Sequence, residues 1–130
     1  MCSSDLWTTP LSWWQAWDTT AIPVGGSDWH RPGSDAPPGL PTTWVEAEDT
    51  DPAAVLQAVA AGRTAISADR DGPVLLRADG ELVAVAADGA ILTGPDGPLA
   101  RVRGQLAKFD GADGCHRLVD PTGATLALIG

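Results

Sequence analysis

The chain has 130 residues, 44% apolar and 19% charged, which allows one ordinary domain or two fragments of domains and excludes a disordered polyelectrolyte. Its 17 acidic residues, 14 of them Asp, outweigh 8 basic ones for a net charge of −9, which disfavours nucleic acid and anionic membranes as partners. No apolar run approaches the roughly 18 residues of a membrane-spanning helix. The two cysteines, Cys2 and Cys115, sit in no CxxC or Cys/His cluster, so a reducing, cytoplasmic location is expected.

Residues 1–6, Met-Cys-Ser-Ser-Asp-Leu, fit a back-translation from a GTG start, GTGTGCTCTTCCGATCT, which resembles the tail of a common sequencing adapter. They are expected to be a non-native leader, with the reading frame beginning inside a longer gene; an ordinary frayed terminus is the alternative. Thr9–Trp17 then reads as a short helix, capped by Thr9, with Pro10 at its first position and Trp13, Trp14 and Trp17 on one core-facing side. Ala21–Gly26 is an apolar strand ending in a glycine pair, and 31–41, rich in Pro and Gly, is a loop.

Thr42–Ala47 is a second strand. Asp51 caps a helix from Pro52 to Ala61, with Val55, Leu56 and Val59 on its buried side and Gly62 ending it. Arg63–Ser67 is a third strand. Strand, loop, strand, helix, strand is the order of an α/β unit.

Beyond residue 72 the composition changes. All six Trp lie in the first 44 positions, and the last 58 residues hold one aromatic, Phe109. The net charge is −7 before Gly72 and −2 after it. Asp-Gly pairs at 71–72, 79–80, 88–89 and 96–97, and again at 110–111 and 113–114, separate seven short apolar runs between Val74 and Ile129. Asp-Gly suits the positive φ of a type I′ hairpin turn, so 73–130 is expected to be an antiparallel meander or small sandwich.

One constellation carries chemistry. In Gly25-Gly26-Ser27-Asp28-Trp29-His30-Arg31-Pro32, an Asp and a His two apart follow the expected strand. A carboxylate and an imidazole there suit Zn, Mn or Fe, and a strand end is where α/β folds place ligands. Spacing alone leaves a second reading open, in which Asp28 caps a turn and His30 is a surface residue.

The segment Ile22–Pro32 resembles the last metal-binding motif, G-S-D-x-H, of the PHP (polymerase and histidinol phosphatase) superfamily. Gly39-Leu40-Pro41-Thr42-Thr43-Trp44-Val45 resembles the G-x-P-x-T-W-V segment of its carbaryl-hydrolase-like branch, and Ala58–Ser67 the A-x-x-x-G-R-T helix and strand that follow. The resemblance implies that 7–72 is the C-terminal piece of a distorted (β/α)7 barrel and 73–130 a small antiparallel β domain. It implies a divalent-metal-dependent phosphoesterase, with metal-activated water attacking a small phosphorylated or ester substrate. Residue by residue it carries over Asp28 and His30 as metal ligands and Arg31 as a substrate contact, with solvent exposure the alternative for Arg31. Ser27 supports the turn.

The family also has an N-terminal H-x-H pair and further His and acidic ligands before the final motif; this chain has no H-x-H, and its only other histidine is His116. Two ligands do not hold a catalytic cluster, so the chain is expected to be inactive alone. Its partner would be the N-terminal barrel half of the same protein. The rival reading is a non-catalytic β-rich binding or oligomerisation module. His116 reads as a strand residue, Cys115 as an ordinary thiol, and Glu46, Glu48, Asp49 and Asp51 as a solvated face before the helix. No P-loop or GxGxxG pattern occurs.

Overall fold

The computed structural model describes residues 10–14, 16, 20–33, 37–111 and 113–130. The leader 1–6, the expected cap Thr9 and Trp17 lie outside the described residues. Residues 10–14 are helical (α1), and a second helix, α2, spans Pro52–Ala60. Nine strands complete the described chain: β1 Thr42–Val45, β2 Thr64–Ser67, β3 Val74–Ala78, β4 Glu81–Val85, β5 Ile91–Gly94, β6 Gly97–Arg101, β7 Leu106–Asp110, β8 His116–Val119 and β9 Thr125–Ile129. They form a six-stranded sheet in the order β1-β2-β9-β8-β5-β6 and a three-stranded sheet in the order β3-β4-β7.

This corrects the expected fold class. Every strand pair among the described residues is antiparallel, β1 with β2 included, so the chain is a small all-β domain and not a piece of an α/β barrel. The physical reason lies in α2. A helix crossing between parallel strands must cover a sheet face with an apolar stripe, but α2 buries only Ala58 and leaves Leu56 69% exposed. It caps a turn of the chain and β2 returns beside β1. β2 itself has the character of a barrel strand, since its four residues are all buried. That burial comes from packing on both faces of an antiparallel sheet: β3 lies on one side, and Gly25, where an added Cβ would stand 3.0 Å from Ile66 Cγ2, lies on the other.

The expected strand at 21–26 is extended but joins no ladder. It is held by side chains instead: Gly25 N–H donates to Thr43 Oγ1 (2.8 Å), which donates back to the Gly25 carbonyl oxygen (3.1 Å). Thr64 Oγ1 donates to the Pro23 carbonyl oxygen (3.2 Å), and Trp14 Nε1 to that of Ala21 (2.7 Å). The expected Trp face of the first helix also divides. Trp14 turns inward onto this segment while Trp13 is exposed.

The core lies between the two sheets. Leu75 and Leu82 from the smaller sheet meet Leu92, Leu118, Ala127 and Ile129 from the larger one, with Val102 closing the space. Of the Asp-Gly pairs, Asp79-Gly80 makes the two-residue turn between β3 and β4, with φ of 51° and 78°. The others sit elsewhere. Asp71-Gly72 and Asp88-Gly89 lie where the chain passes from one sheet to the other, and Pro95-Asp96 turns β5 into β6. The chain therefore changes sheets repeatedly, and of the two forms expected for 73–130 the two-sheet arrangement is the one found, with β1 and β2 joining its larger sheet.

Candidate metal-ligand loop and its cleft

The loop that follows Gly25 begins from a fixed point, because both main-chain groups of Gly25 bond Thr43. Three residues later Asp28 turns the chain with φ of 52°, a left-handed conformation that Asp tolerates better than most residues. The turn brings His30 back toward Asp28. His30 Nδ1 bonds the Asp28 carbonyl oxygen, and His30 Nε2 lies 3.9 Å from Asp28 Oδ1. The two side chains are 72% and 94% exposed. Arg31 is exposed on the same loop and Ser27 is half-buried.

The donor set can be tested against a metal. Two donors on one tetrahedral ion, with bonds of roughly 2.0–2.1 Å, stand about 3.3–3.4 Å apart. The observed 3.9 Å is about half an ångström wider, within reach of small side-chain rotations. A neutral imidazole that donates its Nδ1 proton to a backbone carbonyl presents Nε2 as the ligating nitrogen, which is the usual arrangement around metal-bound histidines. The pair thus fits as one edge of a metal site. Among the described residues no group of three or more His, Cys, Asp or Glu side chains could hold an ion.

Ser27 and Asp28 also form the rim of a cleft of about 440 Å³. Its walls come from α1 (Leu11, Trp14), the extended segment (Pro23, Val24) and the outer face of the larger sheet, where Ile66 and Leu128 are register partners. Sequence reasoning misses these wall residues, because they come from distant segments and only the β2–β9 pairing brings Leu128 beside Ile66.

The remaining candidates have structural explanations. His116 is buried in β8, with Nδ1 2.9 Å from the Gly114 carbonyl oxygen. Burial pushes the Cys115 thiol up, with the Arg117 charge opposing, so it is a poor thiolate nucleophile. In the acidic cluster, Asp51 Oδ2 accepts from Ala53 N–H (3.1 Å) as the α2 cap, and Asp49 Oδ1 accepts from Thr50 N–H (2.6 Å).

No protein-family model matches the chain, and no curated protein or solved structure is significantly similar to it. No helix among the described residues is long and apolar enough to cross a membrane.

Proposed function

We propose that this chain supplies the final metal-ligand pair, Asp28 and His30, to a divalent-metal-dependent hydrolase of phosphorylated or ester substrates. The observation that carries the reading is the convergence of Asp28 Oδ1 and His30 Nε2 at 3.9 Å, with the other ring nitrogen engaged by a main-chain carbonyl. The reading concerns the loop and requires no barrel within these residues. Two donors hold a cation weakly, so further ligands must come from other polypeptide, in keeping with the resemblance of Ile22–Pro32 to a G-S-D-x-H motif.

In this reading a bound Zn, Mn or Fe ion supplies Lewis-acid polarisation of the substrate's phosphoryl or carbonyl oxygen and activation of water. Asp28 contributes a negative charge that favours the cation, and His30 a neutral nitrogen donor whose ring is oriented by the Asp28 carbonyl. Arg31, next on the loop, is the cationic group nearest in sequence to meet an anionic substrate. The cleft beside Asp28 leaves room next to the pair for the organic part of a substrate.

The test is Mn2+-dependent hydrolysis of p-nitrophenyl phosphate and p-nitrophenyl acetate by the product of the longest reading frame containing this chain. Asp28→Ala and His30→Ala are each expected to abolish the metal-dependent rate. Full activity in both variants, or no metal-dependent hydrolysis in any such product, overturns the reading. The second outcome would favour a non-catalytic binding or oligomerisation module, for which the exposed Trp13, Val24 and Trp29 are the supporting observation.

A further inference from the structure

The Asp28–His30 loop leaves from a segment that joins no ladder, so strand pairing does not set where the loop begins. A cross-strand pair of side chains does. Thr43 on β1 and Ile66 on β2 are register partners and share the outer face of the larger sheet. Gly25 lies across them. Thr43 Oγ1 accepts from Gly25 N–H (2.8 Å) and donates to the Gly25 carbonyl oxygen (3.1 Å), so one hydroxyl stands in for a partner strand at that residue. Ile66 sets how close the main chain comes: a Cβ added at Gly25 would stand 3.0 Å from Ile66 Cγ2 and 3.1 Å from the Pro41 carbonyl oxygen.

Two tethers precede this one, from Trp14 Nε1 to the Ala21 carbonyl oxygen and from Thr64 Oγ1 to that of Pro23. At Gly26 the close packing is over, since an added Cβ there would meet nothing within 4 Å. Asp28 then turns the chain with φ of 52°. The Thr43 hydroxyl is therefore the last of these three tethers before the ligand pair.

We propose that Thr43 is the positioning residue of the Asp28–His30 pair: its hydroxyl, acting through Gly25, fixes the origin of the loop and with it the approach of His30 Nε2 to Asp28 Oδ1. The inference rests on the proposed role of that pair as metal ligands. A loop fixed at its origin has less conformational freedom to lose when two of its side chains take one ion, so the hydroxyl acts on affinity without touching the metal. Thr43→Val keeps the branched shape and removes both bonds, whereas Thr43→Ser keeps the hydroxyl.

The experiment uses the 130-residue chain and reads His30 in two ways. Without metal, long-range 15N correlation spectra give the tautomer of the neutral ring; a ring whose Nδ1 donates to the Asp28 carbonyl oxygen carries its proton there and leaves Nε2 bare. Zn2+ titration then gives the affinity. Wild type should show the Nδ1–H form and a millimolar response. Thr43→Val should mix the tautomers and raise the Kd about threefold or more, and Thr43→Ser should restore both readouts to within about twofold. Gly25→Ala should behave like Thr43→Val, and Gly26→Ala like wild type. Gly80→Ala, which strains the β3–β4 turn, is the destabilised control and should keep the wild-type Kd, separating positioning from loss of stability. No Zn2+ response in wild type overturns the ligand reading and this inference with it. A wild-type response that Thr43→Val leaves unchanged, or that Thr43→Ser loses as fully, overturns the role of Thr43 alone. Should Thr43→Val fail to fold, equal behaviour of Gly25→Ala and Gly26→Ala overturns it by the same readouts.

Discussion

Trp44 Nε1 donates to Ser67 Oγ across the β1–β2 pair at 3.0 Å, and Ser67, with no exposed surface, donates onward to the Pro73 carbonyl oxygen. One hydroxyl therefore joins the edge strand of the larger sheet to the entry of the smaller one. Removing it leaves the half-buried Pro73 oxygen without that donor and the Trp44 N–H without its acceptor, whereas removing the indole N–H leaves the Ser67–Pro73 bond intact. Ser67→Ala is expected to cost about 1–3 kcal/mol and Trp44→Phe about 0.5–1.5 kcal/mol. Urea denaturation of both variants checks the order, and a larger loss in Trp44→Phe would contradict it.

The β3–β4 turn makes a second ordering possible. Gly80 adopts φ of 78°, and a Cβ added there would have nothing within 4 Å, so Gly80→Ala meets only backbone strain, about 1 kcal/mol. Gly111 is different. Its N–H donates to the Gly80 carbonyl oxygen (3.0 Å), and a Cβ added to it would overlap that same oxygen. Gly111→Ala must push the end of β7 away from the turn and is expected to cost more, about 2–3 kcal/mol or above. Thermal melts in which Gly80→Ala is the worse variant would rule this out.

Much of the β structure can be read from the residues, and the reasons for the failures are specific. The Asp51 cap, Pro52 and Gly62 delimit α2 by local chemistry alone, and the apolar runs after Pro73 become strands because alternation and turn residues agree. Pairing is a tertiary property. Nothing local distinguishes β2 as an interior antiparallel strand from a parallel barrel strand, since either would bury all four of its residues. The segment at 21–26 has strand composition but is captured by the Thr43 and Thr64 hydroxyls rather than by a neighbouring ladder. For the site, the Asp28–His30 proximity follows from two-residue spacing and a turn. The cleft beside it depends on the β2–β9 pairing that sets Leu128 beside Ile66, which no local pattern encodes.

Acid sensitivity should have a contribution from the β8–β9 loop. Asp120 Oδ1 accepts from Thr122 Oγ1 (2.6 Å), Thr122 N–H (2.8 Å) and Ala124 N–H (3.0 Å). The Thr122 hydroxyl first, then the main-chain donors, hold its carboxyl below the usual Asp range. A folded-state value below the unfolded one means the stabilisation is present above the unfolded pKa and is lost as pH falls through the folded one. Between neutral pH and about pH 4 this loop should contribute steadily, with its contribution declining below that. Asp120→Asn should flatten the acid limb of a stability-versus-pH curve while leaving the slope above about pH 5 unchanged. An unaltered acid limb would show that the loop does not report on this carboxylate.

The Asp28 loop separates folding from ligation through its backbone. At φ of 52°, Asp28→Ala carries a left-handed strain of about 1 kcal/mol relative to glycine, whereas Asp28→Gly relieves it. The two side chains are largely exposed, so His30→Ala should change stability by no more than about 0.5 kcal/mol. Ligation depends instead on the carboxylate and the imidazole together. In a Zn2+ titration of the chain followed by the His30 ring signals, wild type should respond weakly, in the millimolar range expected of two donors. Asp28→Gly and Asp28→Ala should both lose the response although only the alanine variant is destabilised. If Asp28→Gly still shifts the His30 ring at the same Zn2+ concentration, the carboxylate is not a ligand, and the pair at 3.9 Å is an ordinary surface contact.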